Sequence, residues 1–350
     1  MTKLTNDIFF NYHLPEKLIA KYPLKKRCKA KLLFYHDGHY HHHHIGDIPH
    51  LLPAKSVIVF NNSRVIPAFL KGTTGHHKTV TANLIATKHS ANHHDWQAMI
   101  KGSKKIKIGD EINFGNTAQP FIATLIAKQQ DGFILLHFHD EKNFWQNLHQ
   151  YGKMPIPPYL KRPPETSDES DYQTIFAKQD GSIASPTAGL HFTHHLKNIL
   201  MAQGFLFLPL TLHVGLGTFL PIKTDIKHHK MHHEFGMIDQ TTAEQYNLAK
   251  REGRKIIALG TTSLRLLESA IDQRGQLQTF QGTTDIFIKP PYKITTADYL
   301  LTNFHLPAST LLLLVNSFIG CTATKKLYEI AIEQCYRFYS YGDACLLKNS

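Results

Sequence analysis

Five segments of the chain are small-residue or histidine-bearing loops. In GSIASPTAGLHF, Gly181 to Phe192, the small residues include Thr187 and Gly189. Such residues let a ligand approach the backbone, and exposed N–H groups can hold an anion. His191 follows at the mouth of that loop as a donor or base, or else caps a plain turn. In TLHVGLGTF, His213 stands before Gly215 and Gly217. That GxG resembles a dinucleotide loop, but Leu220 occupies the third glycine's place, so a Rossmann cofactor site is not expected.

HHKMHHEF spaces His228 from His232, and His229 from His233, four apart. On a helix each pair shares a face and suits a metal, while a solvated His-rich turn suits the same residues. Met237 breaks the HExxH pattern, and no metal site is expected. His232 with Glu234 makes an acid–base pair. GTTSLRLLES is a strand-to-helix turn whose free N–H groups suit a phosphate or carboxylate. Thr261, Thr262 and Ser263 add hydroxyls, and Arg265 can clamp the same anion. An ordinary helix cap is the plainer alternative. LLTNFHLPAST ends a strand with Asn303 and His305. Ligands of open α/β sheets bind outside the carboxyl ends of strands, so the loops of His191, His213, His232 and His305 are candidates to converge.

The elements that position these residues follow two textures. SVIVF (residues 56–60), FLFLPLTLHV, KIIALG, DIFIKP and DYLLTNF read as strands. TTAEQYNLAKREG, LRLLESAIDQ, PASTLLLLVNSFIG and TATKKLYEIAIEQCYRF read as helices, with Thr262 or Ser263 capping the second. Between them, VTANLIATK, WQAMI, DEINF, FIATLIAK and FILLHF are short strands separated by turn residues, the pattern of a small antiparallel barrel or sandwich. The expectation is an α/β fold: a mostly parallel sheet domain, residues 1–68 and 156–350, interrupted by an inserted small antiparallel β-barrel domain, residues 69–155. The HHHH tract at His41 to His44 has low complexity.

The 350 residues suggest about two domains at roughly 150 residues each. A hydrophobic share of 42% excludes a disordered chain. The formal charge of +12 favours a polyanionic partner. KYPLKKRCKAK holds six cations and no acid, and such patches suit a phosphate backbone, although any one run also reads as a solvated face. Four Cys without CxxC spacing read as reduced thiols of a cytoplasmic protein. The longest apolar run, Leu311 to Val315, is far short of a membrane span of about 20 residues.

GSIASPTAGLHF, TLHVGLGTF, MHHEF, GTTSLRLLES, TNFHLPAST and YRFYSYGDA, with LPEKLIAKYPLKKR, FNNSRVIPAFLKG, MPIPPYLKR and DYQTIFA before them, occur in an order that resembles the S-adenosylmethionine:tRNA ribosyltransferase-isomerases of queuosine biosynthesis. The resemblance spans about residue 8 to Leu346. It implies transfer and isomerisation of the ribosyl group of S-adenosylmethionine onto 7-aminomethyl-7-deazaguanine at the wobble position of a tRNA with a GUN-type anticodon. The product is epoxyqueuosine-tRNA, with adenine and methionine released. S-adenosylmethionine is then a consumed substrate, no separate cofactor is expected, and a cytoplasmic monomer without membrane association is the expected form. For that chemistry His191, His213, His232 with Glu234, and His305 are the candidate acids and bases. Arg265 and the Thr261–Ser263 turn suit the methionine carboxylate, and Asn61, Asn62 and Arg64 suit contact with nucleoside or RNA. A non-catalytic tRNA-binding protein is the alternative. The chain departs from the family pattern at His233, in a Ser position, and at Ser185, where Ala is common. Phe69 replaces an Arg, and Asp171 stands in the usual Arg position of RYQT.

Overall fold

The computed structural model describes residues 11–85, 94–101, 106–129, 133–215, 222 and 226–349. In chain order its strands are β1 (Lys31–His36), β2 (His39–His44), β3 (Val57–Asn61), β4 (Ser63–Val65), β5 (Phe69–Thr74), β6 (Thr79–Ile85), β7 (Asp95–Lys101), β8 (Glu111–Asn113), β9 (Ile122–Lys128) and β10 (Phe133–Phe138). After these come β11 (Gln179–Ser182), β12 (Leu206–Leu212), β13 (Glu234–Ile238), β14 (Ile256–Leu259), β15 (Phe280–Thr284), β16 (Tyr299–Asn303) and β17 (Ala344–Lys348).

Among the described residues, nine strands make one sheet in the order β15-β13-β12-β3-β14-β16-β17-β1-β2. It is a mixed sheet. β12, β3, β14 and β16 form a parallel centre, β1 joins β17 in parallel, and the remaining pairs are antiparallel. The central strands are continuous apolar runs because both faces are covered. Val57, Val59, Ile256, Ala258 and Leu300 pack on one side with residues of the helices Gln240–Arg251, Thr261–Ala270, Thr310–Ile319 and Cys321–Glu333. Their alternating neighbours Ile58, Phe60, Ile257, Leu259 and Leu301 pack on the other side with the helix His194–Ala202. Parallel pairing brings the carboxyl ends of β12, β3, β14 and β16 to one edge of the sheet.

A closed antiparallel barrel, β10-β7-β6-β5-β8-β9, occupies the middle of the chain. Its strands alternate as β6 does, with Val80, Ala82 and Leu84 inward. The helix Phe144–Tyr151 buries Phe144 and Leu148 in the barrel core, with the Phe144 ring stacked on Trp96 at 5.2 Å. Phe69 and Lys153 exchange backbone hydrogen bonds of 3.1 and 2.8 Å, so the chain enters and leaves the barrel side by side.

Two local expectations are corrected, and one alternative is decided. DIFIKP is not a strand: the strand is Phe280–Thr284. The Thr284 hydroxyl accepts the Ile286 N–H at 3.2 Å and turns the chain out of the ladder, and the following Pro290 and Pro291 have no N–H to donate. Of the two readings of HHKMHHEF the turn holds: residues 229–233 are irregular and Glu234 and Phe235 enter β13 opposite β15, so its histidines are not stacked four apart on one face. The helix Thr261–Ala270 is preceded by Gly260 at φ +90°, a conformation that favours glycine, and neither Thr262 nor Ser263 caps it. The HHHH tract lies in the edge strand β2, where His41 pairs with Phe34. Among the described residues, no helix is long and apolar enough to cross a membrane.

Candidate functional site

The carboxyl ends of β14 and β16 open into a cleft of about 550 Å³, open solvent included. Ser185, Thr187, Thr261, Thr262, Asn303 and His305 are on its wall, joined by Tyr159, Val214, Thr302, Tyr339 and Ser340. The start of the helix Thr261–Ala270 faces it because Gly260 turns the chain sharply out of β14. Thr262 Oγ1 and Ser185 Oγ are buried without a hydrogen-bond partner among the described residues.

Asn303 organises one side of this cleft. Its Oδ1 accepts from Thr187 Oγ1 at 3.0 Å, and its Nδ2 donates to Tyr339 O at 3.1 Å. The same Nδ2 lies 3.1 Å from His191 Nε2. With the amide orientation set by its other partners, His191 Nε2 is the acceptor and its proton sits on Nδ1. His191 is buried behind Asn303 and is not on the cleft wall. Burial, followed by the nearby Arg27 and Arg337 charges, lowers its pKa to about 3. His305 is on the wall, with Nε2 3.0 Å from Thr302 Oγ1. Its backbone N–H donates to Tyr328 Oη at 2.9 Å, and its carbonyl accepts from Tyr12 Oη. Burial lowers the His305 pKa to about 3 as well. Both imidazoles are therefore neutral near pH 7.

A second cleft, of about 340 Å³ with open solvent included, is lined by Gly215, His229, Met231, His232, Glu234, Arg265 and Thr310. The two clefts adjoin where Val214 passes to Gly215 and Leu311 to Thr310. Glu234 accepts the Gly215 N–H at 3.1 Å on Oε1 and pairs through Oε2 with Arg265 Nη1. Both side chains are nearly inaccessible, at 3% for Arg265 and 4% for Glu234. His232 is exposed, with its ring centroid 6.3 Å from that of Phe133 on the barrel.

The remaining candidates are placed as follows. Arg265 points into the second cleft, apart from Thr261 and Thr262, so it does not share an anion with their turn. Ser263 is fully buried and donates to Leu259 O at 2.8 Å. Gly189 packs where an added Cβ would lie 2.9 Å from Thr174 Cγ2. Asn61 clips β3 to β12 through the Leu212 N–H and C=O, at 3.0 and 2.8 Å. Asn62 accepts from Thr211 Oγ1 at 2.7 Å. Arg64 is exposed and donates to Ala177 O at 3.1 Å. Gly217 lies outside the described residues. Tyr159, Tyr339 and Ser340 are wall residues that reading by strand ends missed, and the motif YRFYSYGDA was the available signal for the last two. Among the described residues, no three His, Cys, Asp or Glu side chains are grouped so as to hold a metal ion.

His213 is held against the loop that opens with Gly181. Gly181 has φ +135°, and an added Cβ would lie 2.9–3.1 Å from three atoms of the His213 ring. The other side of the ring stacks on Phe235 at 6.1 Å. Burial lowers the His213 pKa, against a smaller opposing effect of Asp180. Gly181→Ala is expected to destabilise the fold by roughly 1–3 kcal/mol through backbone strain and displacement of the ring. Urea unfolding checks this, and a change within about 0.5 kcal/mol would show that the ring is not wedged there.

With this geometry in place, known proteins supply a further observation. A model of the queuosine biosynthesis protein family matches residues 8–347. The chain belongs to that family. It is 46% identical to the S-adenosylmethionine:tRNA ribosyltransferase-isomerase of Mesorhizobium japonicum, covering 97% of this chain and 96% of that one. The enzyme of the same name from Zymomonas mobilis is 42% identical, with 97% and 98% covered. The crystal structure of S-adenosylmethionine tRNA ribosyltransferase from Thermotoga maritima superposes with a TM-score of 0.55 at 28% identity, covering 97% of this chain and 99% of the other.

Proposed function

We propose that this family member transfers and isomerises the ribosyl group of S-adenosylmethionine onto 7-aminomethyl-7-deazaguanine in the wobble position of a tRNA with a GUN-type anticodon. Adenine and methionine leave, and epoxyqueuosine-tRNA is formed. S-adenosylmethionine is consumed as a substrate, and no separate cofactor takes part. The enzyme acts as a cytoplasmic monomer, with residues 69–155 as an inserted domain and residues 1–68 and 156–350 as the catalytic one.

The observation that carries this reading is a hydroxyl-rich cleft on the carboxyl edge of the sheet with the neutral imidazole of His305 on its wall and that of His191 behind Asn303. The sulfonium acidifies the neighbouring 5′-carbon, and a neutral imidazole can accept a proton from it. His305, on the wall, is the group placed to do so. His191 acts through Asn303, accepting from the Nδ2 of an amide that Thr187 and Tyr339 already orient. His232 and the Glu234–Arg265 pair adjoin on the methionine side of such a ligand.

His305→Ala is expected to reduce turnover by about 10²- to 10⁴-fold, the usual weight of a positioned acid or base. His191→Ala is expected to reduce it less, by removing one acceptor of the Asn303 amide. Mass spectrometry of acceptor tRNA incubated with S-adenosylmethionine reads both. Normal turnover in both variants removes the assignment, and ribose label that never enters tRNA removes the reaction in favour of tRNA binding alone.

A further inference from the structure

Arg265 uses part of its guanidinium and leaves the rest aimed at a cleft. Nη1 pairs with Glu234, whereas Nε and Nη2 are buried with no hydrogen-bond partner among the described residues. Those two nitrogens lie along one edge of the planar group, and their N–H bonds point the same way. That is the fork that matches two oxygens of a carboxylate or phosphate. Glu234 accepts the Gly215 N–H as well, so it holds the guanidinium in place from the opposite side.

The adjoining larger cleft has a different chemistry. Its wall is rich in hydroxyls, and among its lining residues there is no Asp, Glu, Lys or Arg. Ser185 and Thr262 each present a buried hydroxyl oxygen without a hydrogen-bond partner among the described residues. One cleft thus offers a cationic fork and the other neutral donors and acceptors. A ligand lying across both needs an oxyanion at one end and an uncharged polar body at the other.

Resting on S-adenosylmethionine as the substrate, we propose that the Nε–Nη2 edge of Arg265 binds the carboxylate of its amino-acid end, and that the hydroxyl-lined cleft takes its nucleoside. An amino-acid end carries an ammonium beside its carboxylate. It therefore matches the Arg265–Glu234 pair charge for charge. A phosphate would set negative charge beside Glu234 without the ammonium that an amino-acid end brings, and an RNA phosphate is the competing source of the same oxyanion. Arg265 is a substrate-binding residue in this arrangement, and Glu234 is its positioning residue.

The test is calorimetric titration of the full-length protein, alone and with tRNA, using S-adenosylmethionine and its decarboxylated analogue. Wild-type protein is expected to prefer the carboxylated compound by roughly 10- to 100-fold, the range for hydrogen bonds to a charged group. Arg265→Lys keeps the cation but not the fork, and is expected to lose most of that preference. The pair Glu234→Gln with Arg265→Ala leaves no buried charge unpaired, and is expected to abolish it. Equal affinities for the two compounds in wild-type protein overturn the proposal, whatever the variants do. An undiminished preference in either variant also overturns it. A fall in tRNA affinity and in its salt dependence, with the preference intact, assigns the fork to an RNA phosphate instead. Wild-type protein that binds neither compound, with or without tRNA, counts against S-adenosylmethionine as substrate, a failure distinct from equal binding.

Discussion

Glu234→Ala is expected to lower the free energy of unfolding by about 3–5 kcal/mol, the cost of removing one partner from a buried ion pair. Arg265 is 3% exposed and cannot turn out to water from the helix Thr261–Ala270, which buries every residue from Thr261 to Glu268. Two of its nitrogens have no hydrogen-bond partner among the described residues, so alanine at position 234 strips the third from a charge that must stay ionised. The Gly215 N–H loses its acceptor in the same change. Glu234→Gln keeps one acceptor oxygen, for either the Gly215 N–H or Arg265, and is expected to cost less than alanine. Domains of this kind are stable by about 5–15 kcal/mol, so the alanine variant would forfeit a large share of the total. Urea titration at fixed pH measures it. A loss under about 1 kcal/mol would place the pair with exposed salt bridges and contradict its burial.

Much of the scaffold was legible because the central strands carry a signal that survives without tertiary knowledge. SVIVF, KIIALG and DYLLTNF are short apolar runs bounded by turn residues, and they became β3, β14 and β16. Once these strands are parallel neighbours, their ends must align, which is why Thr261, Thr262, Asn303 and His305 meet at one cleft. Side-chain direction is another matter. Arg265 shares a helix face with Thr261, four residues before it, yet its pairing with Glu234 at the start of β13 draws the guanidinium to the neighbouring cleft, which spacing alone does not reveal. His191 follows the small-residue loop directly in sequence, yet a five-residue 3₁₀ turn, Thr187–His191, places it behind Asn303. Asn62 looked free after a strand, but the Thr211 hydroxyl is its partner across β12. HHKMHHEF read as a possible helix because its strand character comes from β12 and β15, both remote in sequence.

Stability is expected to fall as pH drops below about 6.5, and His191 and His305 are expected to set much of the slope. Each has an ordinary value of 6.5 that the fold lowers to about 3, for His191 by burial and then by Arg27 and Arg337, and for His305 by burial. Between those values the unfolded chain binds a proton that the native protein refuses, so acid favours unfolding. Each such group contributes up to about 1.4 kcal/mol per pH unit, and two give roughly twice that. Below about pH 3 both states are protonated and their contribution stops changing. His213, also lowered chiefly by burial, acts in the same direction. Asp343 opposes it, since burial raises its pKa and the native state then holds a proton that the unfolded chain releases first, but only in the window above the ordinary carboxylate value of 3.8. Urea titrations from about pH 7 to 4.5 measure the slope, and replacing both His191 and His305 by Gln removes their two protons from it. The same slope in wild type and double variant would mean that neither imidazole is kept neutral by the fold. The consequence for the site is direct. A proton on His191 Nε2 would face the Asn303 Nδ2–H 3.1 Å away, donor against donor. Asn303 would then lose one of the two acceptors of its Nδ2, leaving Tyr339 O and the Thr187 hydroxyl to hold the amide on the cleft wall.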